Sequence, residues 1–197
     1  DSGVFDSPFD YKNNVLFSVV TDAPFPTQKL FQNWLEQSLE KLILASSGRS
    51  LVLFTSYDSL IFAYNYCSAK LIKKKITVYK QGDDDRFRLL KKFKDETSSV
   101  LFATDSFWEG VDVPGESLSH VIIVKMPFPV PSDPVFQARS ENIDKNGGNS
   151  FMELSVPESV IKFKQGFGRL MRSCKDRGCV TVLDNRLISK YYGKYCK

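Results

Sequence analysis

The sequence predicts an α/β fold, a mainly parallel sheet with helices on both faces. Three observations carry that expectation. Six short apolar or β-branched runs recur along the chain, and stretches of helical periodicity separate most of them. The 42% hydrophobic content of 197 residues suits one substantial core better than two. Residues 1–197 are therefore read as one domain.

Residues 15–20 form the first strand run, and residues 27–45 follow with Leu30, Trp34, Leu35, Leu39 and Leu42 at helical spacing. Residues 51–54 are the second strand. A helix over 58–74 takes Asp58 as its N-cap and runs out in Lys73-Lys74-Lys75, where cations suit the negative end of the dipole. Residues 76–79 supply the third strand. The helix over 84–94 opens on Asp83-Asp84-Asp85, where anions suit the positive end, and turns Phe87, Leu90 and Phe93 inward. Residues 100–103, 121–125 and 180–183 complete the strands, and Asn146-Gly147-Gly148-Asn149 reads as an exposed, mobile loop.

Charge and cysteine usage narrow the function classes. The 27 basic and 23 acidic side chains leave a net charge of +4. That suits modest contact with a phosphate backbone and falls short of an autonomous DNA-binding domain, so binding by this chain alone is expected to be weak. The cysteines at 67, 174, 179 and 196 include no C-x-x-C pair and are read as reduced thiols, with a turn at Asp176-Arg177-Gly178 accounting for the spacing of Cys174 and Cys179. Consecutive side chains diverge, so Asp83-Asp84-Asp85 is not read as a metal site, and the lone His120 has no catalytic partner pattern. No apolar stretch approaches the roughly 18 residues of a membrane span and no signal peptide opens the sequence, so no membrane association and a cytoplasmic location are expected.

Three segments carry chemistry. In Gln165-Gly166-Phe167-Gly168-Arg169-Leu170-Met171-Arg172, helical spacing puts Gln165, Arg169 and Arg172 within about 60° of one another, with Val160, Phe163, Phe167 and Leu170 opposite. Gly166 and Gly168 each cost a helix roughly 1 kcal/mol, and their missing side chains would let another surface come close. The stripe fits arginine fingers for a bound nucleotide, and equally a solvated basic face with incidental glycines. The second segment follows the strand at 100–103, where Thr104, Ser106, Phe107, Trp108, Glu109, Gly110 and Asp112 sit just past a strand's carboxyl end. Ligands of open parallel sheets bind at that edge. Phe107 and Trp108 could stack on bases, or at least one of them could pack in the core beneath its loop. Third, Thr55 and Ser56 close a strand immediately before a helix, placed either for a phosphate contact or for ordinary capping.

Taken together, Phe107-Trp108-Glu109-Gly110-Val111-Asp112 and the segment from Gln165 to Arg172 resemble motifs V and VI of superfamily 2 helicases in the DinG/XPD form, most of all the bacterial DinG type. The resemblance extends to Ser7-Pro8-Phe9-Asp10-Tyr11, to the run from Leu51 to Tyr57, to Pro127-Phe128-Pro129 and to Asp184-Asn185-Arg186. It implies the second RecA-like motor domain of an ATP-driven helicase that moves 5′ to 3′ on single-stranded DNA. Arg169 and Arg172 would be its arginine fingers, with Gln165 sensing the nucleotide. Gly166, Gly168, Glu109, Gly110 and Asp112 would belong to the nucleotide-binding and coupling set, Glu109, Gly110 and Asp112 linking that site to the DNA, and Thr55, Ser56, Thr104, Ser106 and Trp108 would lie along the DNA. No G-x-x-x-x-G-K-S/T loop and no Asp-Glu-Ala-His-like box occurs, so ATP and Mg2+ are expected to be bound mainly by a first motor domain absent from this chain, which is read as an excised piece of a longer protein. The iron–sulphur cluster of some relatives would likewise lie outside it. A non-catalytic domain binding nucleic acid or a partner, or a motor attached to an exonuclease, are the alternatives.

Overall fold

The computed structural model describes residues 10–104, 107–108, 117–171 and 176–196. Its frame is a six-stranded sheet in the order β1-β6-β5-β2-β4-β3, with β1 Val15–Val19, β2 Ser50–Leu53, β3 Thr77–Lys80, β4 Ser99–Ala103, β5 His120–Ile123 and β6 Gly178–Val182. Every pairing is parallel. Parallel strands cannot be joined by hairpins, so each link crosses a face of the sheet, and the helices of those links cover it.

Alternation along the strands divides the core in two. Leu51, Leu53, Leu101, Val121, Ile123, Val180 and Val182 face one cluster, while Val52, Phe54, Val100, Phe102, Ile122 and Val124 face the other. Helices α2 (Leu30–Ala45) and α3 (Tyr57–Lys73) pack on the second face through Phe31, Leu35, Leu39, Ile43, Leu60, Ala63, Cys67 and Leu71. Helices α4 (Arg86–Asp95) and α6 (Val156–Phe167) pack on the first through Leu89, Phe93 and Phe163. The central strands β2, β4 and β5 are buried at every residue. That is why they read as continuous apolar runs.

The first short helix, α1 (Tyr11–Asn14), leads into β1, and α5 (Pro134–Lys145) is joined to α6 through a π-helical turn, Phe151–Ser155. A single turn, α7 (Arg186–Ser189), and a 3-10 helix, Tyr191–Cys196, close the chain. Asn146 to Asn149 is exposed, and its neighbours bond across it: Ser150 donates through N and Oγ to the Asp144 carboxylate at 2.9 Å, and Asn149 N donates to Glu153 Oε1 at 2.8 Å.

Three local expectations are corrected. The cap of α3 is Ser56, whose extended backbone lets its Oγ accept the Ser59 N–H at 3.3 Å, so Asp58 lies inside the first turn. In α2 the inward stripe is Phe31, Leu35, Leu39 and Ile43, and Leu30 is exposed. In α4, Asp85 caps the helix by accepting from the N–H groups of Phe87 and Arg88. Phe87 then stands about 200° around the helix from buried Leu89 and is 78% exposed.

The three described cysteines are free thiols, and burial pushes Cys67 up to about 12. No described helix is long and apolar enough to cross a membrane. Polar groups under the sheet are tied to one another: His120 Nε2 lies 2.8 Å from Thr181 Oγ1, which lies 3.0 Å from Ser18 Oγ, linking β5, β6 and β1.

Burial pulls the His120 imidazole down from 6.5 to about 4, against a weaker opposing effect of a hydrogen bond with the Leu42 backbone. The unfolded chain therefore binds the extra proton between those two values and the folded chain does not, so stability falls as pH drops through that window. Denaturant titrations between pH 7 and pH 4 should show the wild type losing about 3 kcal/mol more than His120→Gln. A pH-independent difference between the two would remove His120 from the acid response.

Candidate functional site

The carboxyl ends of β2, β4 and β3 lie side by side, so the segments after them share one rim of the sheet. After β2 come half-buried Thr55 and exposed Ser56. The Ser56 hydroxyl accepts the Ser59 N–H as the cap of α3, which leaves its own proton available to an outside acceptor. After β4, Thr104 is held by Gln81, the residue after β3. Gln81 Oε1 accepts from Thr104 N at 2.7 Å and from Thr104 Oγ1 at 2.9 Å.

Phe107 and Trp108 both turn inward and are 2% and 0% exposed. The base-stacking role expected of Trp108 is therefore corrected: its indole Nε1 donates to the Phe54 carbonyl at 3.1 Å, and its ring fills the space over Gly166. A Cβ at Gly166 would stand 2.7 Å from Trp108 Cε3 and 3.2 Å from Leu53 Cδ1. The surface that comes close at this glycine is thus the chain's own tryptophan. One side chain thereby pins the end of β2 to the end of α6. Beside it, the Arg86 guanidinium lies over the Phe107 ring at 5.5 Å.

The helix carrying Gln165 stops earlier than its spacing suggests. α6 ends at Phe167, and beyond it Arg169 N bonds to the Gly166 carbonyl at 3.2 Å and Leu170 N to the Phe167 carbonyl at 3.3 Å. Those bonds span three residues, so the turn tightens at the glycines and Arg169 is not on a continuous α-helical stripe with Gln165. A different tie joins the two residues: Arg169 Nε donates to the Gln165 carbonyl at 2.9 Å. Gly168 caps the helix with its N–H on the Lys164 carbonyl at 2.9 Å. Phe163 and Leu170 are buried on the opposite side, as the spacing predicts.

Gln165 lines a cleft of about 250 Å³ with Pro127, Pro129, Glu158, Ile161 and Lys162. The far wall is held by a buried ion pair that residue spacing alone does not reveal. Asp184, fully buried at the end of β6, accepts from Met126 N at 2.9 Å and from Arg186 Nη2 at 2.6 Å, and the Arg186 guanidinium lies 5.6 Å from the Phe128 ring. Burial is the largest single influence on Arg186 and opposes its charge, but the hydrogen bond to Asp184 together with the charges of Asp184 and Tyr192 outweighs it, raising the guanidinium above its ordinary value. Nearby Lys125 is pulled down by burial and then by Arg186. Among the described residues no three histidine, cysteine or acidic side chains converge as a metal site. The candidates Ser106, Glu109, Gly110, Asp112 and Arg172 lie outside the described residues.

A parallel sheet with polar segments gathered on its carboxyl rim, and a glutamine and an arginine at the end of a helix packed beside that rim, is the arrangement in which open α/β sheets bind ligands. The chain belongs to the helicase C-terminal domain family, whose pattern matches residues 39–197. It is 43% identical over 188 residues to the ATP-dependent DNA helicase YoaA of Haemophilus influenzae, covering 95% of this chain and 29% of that one. To the ATP-dependent DNA helicase DinG of Photobacterium profundum it is 40% identical over 192 residues, covering 95% and 28%. The chain thus spans less than a third of these relatives. Its fold matches a solved XPD helicase with a TM-score of 0.73 at 19% identity, over 92% of this chain and 34% of that one.

The glycine at 166 has a measurable consequence. Alanine there gains helix propensity worth up to about 1 kcal/mol, but its methyl must displace a buried indole ring, an overpacking cost of about 1–3 kcal/mol. Gly166→Ala should therefore be destabilised by roughly 1–2 kcal/mol in denaturant titration, with altered Trp108 fluorescence. An unchanged or raised midpoint would mean the indole does not occupy this space.

Proposed function

We propose that this chain is the second motor domain of an ATP-dependent DNA helicase of the DinG and YoaA type. ATP and Mg2+ are held mainly by a first motor domain elsewhere in the parent protein, and this domain closes over them with Arg169. The protein acts on single-stranded DNA in the 5′ to 3′ direction and works in the cytoplasm. Arg169, joined by Arg172, offsets negative charge developing on the transferring phosphoryl group, and Gln165 senses the nucleotide. Glu109, Gly110 and Asp112 couple that event to the rim carrying Thr55, Ser56 and Thr104.

The observation that carries this reading is the Trp108 contact. The helix end bearing Gln165 and Arg169 and the strand end leading to Thr55 and Ser56 are packed on the same indole. A shift of one is felt by the other, because close-packed interiors transmit displacement. A solvated basic face needs no such connection.

In the intact parent protein, Arg169→Ala should lower DNA-stimulated ATP hydrolysis by about a thousandfold or more while leaving the fold intact. Unchanged turnover in the variant would take Arg169 out of the chemistry. A wild-type parent with no DNA-stimulated turnover would make this a non-catalytic domain that binds nucleic acid or a partner.

A further inference from the structure

Gln81 was not among the residues singled out by sequence, yet its side chain has its orientation fixed by chemistry. A backbone N–H can only donate, so the Gln81 atom 2.7 Å from Thr104 N is the carbonyl oxygen, and the amide cannot be flipped. The same oxygen accepts the Thr104 hydroxyl at 2.9 Å. The hydroxyl's one proton is thereby engaged, and Thr104 has no donor left for an anion. The Gln81 Nε2 group, with two N–H donors, is turned away from Thr104, and among the described residues no hydrogen bond occupies it.

The platform under this amide is equally fixed. Gln81 N donates to the Phe102 carbonyl at 2.8 Å, and the Gln81 carbonyl accepts the Tyr57 hydroxyl at 3.3 Å. Gly82 follows at φ +99°, where a Cβ would lie 2.9 Å from the Tyr57 hydroxyl oxygen, so the chain can turn here only without a side chain. Asp83, the nearby carboxylate, is ion-paired with Lys80. Across Thr104, on the other neighbouring strand end, Ser56 keeps its own hydroxyl proton.

We propose that Gln81 Nε2, rather than the Thr104 hydroxyl, donates to a backbone phosphate of single-stranded DNA, with Thr104 as the residue that aims it. This rests on the helicase reading above. A motor that travels over any sequence needs an acceptor presented alike by every nucleotide. Phosphate oxygens meet that condition and base edges do not. The sheet order then makes the rim a row of donors, Ser56 after β2 and Gln81 after β3, with Thr104 between them as spacer.

The test uses the intact parent protein and oligothymidylates carrying a single uncharged methylphosphonate at successive positions. Gln81→Glu keeps an oxygen for both Thr104 donors and replaces the outward N–H groups with a charged acceptor. It should bind unmodified strands at least about tenfold more weakly than wild type. Neutralising one particular phosphate should bring the two proteins to within about twofold, while every other position keeps the gap. Should Gln81→Glu fail to fold, Gln81→Met should lose the wild type's sensitivity to methylphosphonate at that one position and retain it elsewhere. Binding by Gln81→Glu within twofold of wild type, or a loss equal at all positions, would overturn the proposal and leave the helicase reading standing. A wild-type parent that does not bind single-stranded DNA would overturn both.

Discussion

The contact between Trp108 and the bare backbone of Gly166 is the constraint around which the rest of the site is arranged. A buried tryptophan removes about 150–250 Å² from water, and its N–H must find a partner. Here the partner is the Phe54 carbonyl, the last main-chain group before the Thr55-Ser56 segment. The ring therefore has one allowed position, set by a hydrogen bond on one side and by the surface of α6 on the other. Because Gly166 lies just inside the end of α6, that position also fixes where the helix ends and from where Arg169 departs.

The parallel sheet explains why such a contact is available. With all six strands pointing one way, every carboxyl end falls on the same rim, and the covered faces leave that rim as the place where polar groups can gather. The Asp184 carboxylate works at the same rim, bonding Met126 N and Arg186 so that the segment after β5 holds its shape opposite Gln165. Buried ion pairs of this kind are weak contributors to stability but strongly resist being broken on one side. Their effect here is to make the cleft wall definite.

Much of the fold was legible in the sequence, because the signals that define strands and covered helices are local. The runs at β2, β4 and β5 are apolar at consecutive residues since both their faces are buried, and the alternation of strand and helix leaves a parallel sheet as the simple solution. Helix α5 gave no such signal: it has no buried residue, so no apolar stripe marks it, and only Asp133 as cap and Pro134 at its first turn betray it. Phe87 misled for a related reason, since its hydrophobicity says nothing about which face the Asp85 cap will present. In the site, the residues around Arg169 were readable as a pattern, but the reason for Gly166 was not, because its partner is 58 residues away in sequence. Gln81 was hidden for the same reason: only the pairing of β3 with β4 brings it to Thr104.

The fit of indole to glycine also ties two positions of the sequence together as a unit of change. A larger side chain at 166 is tolerable only if the ring at 108 shrinks, and a smaller ring at 108 opens a void that only a larger residue at 166 or 53 can fill. Substitutions at these sites are then non-additive, each harmful singly and less so together. Drift in the domain's core is thereby channelled into paired steps, which keeps the packing of the end of β2 against the end of α6 unchanged while the rest of the domain diverges.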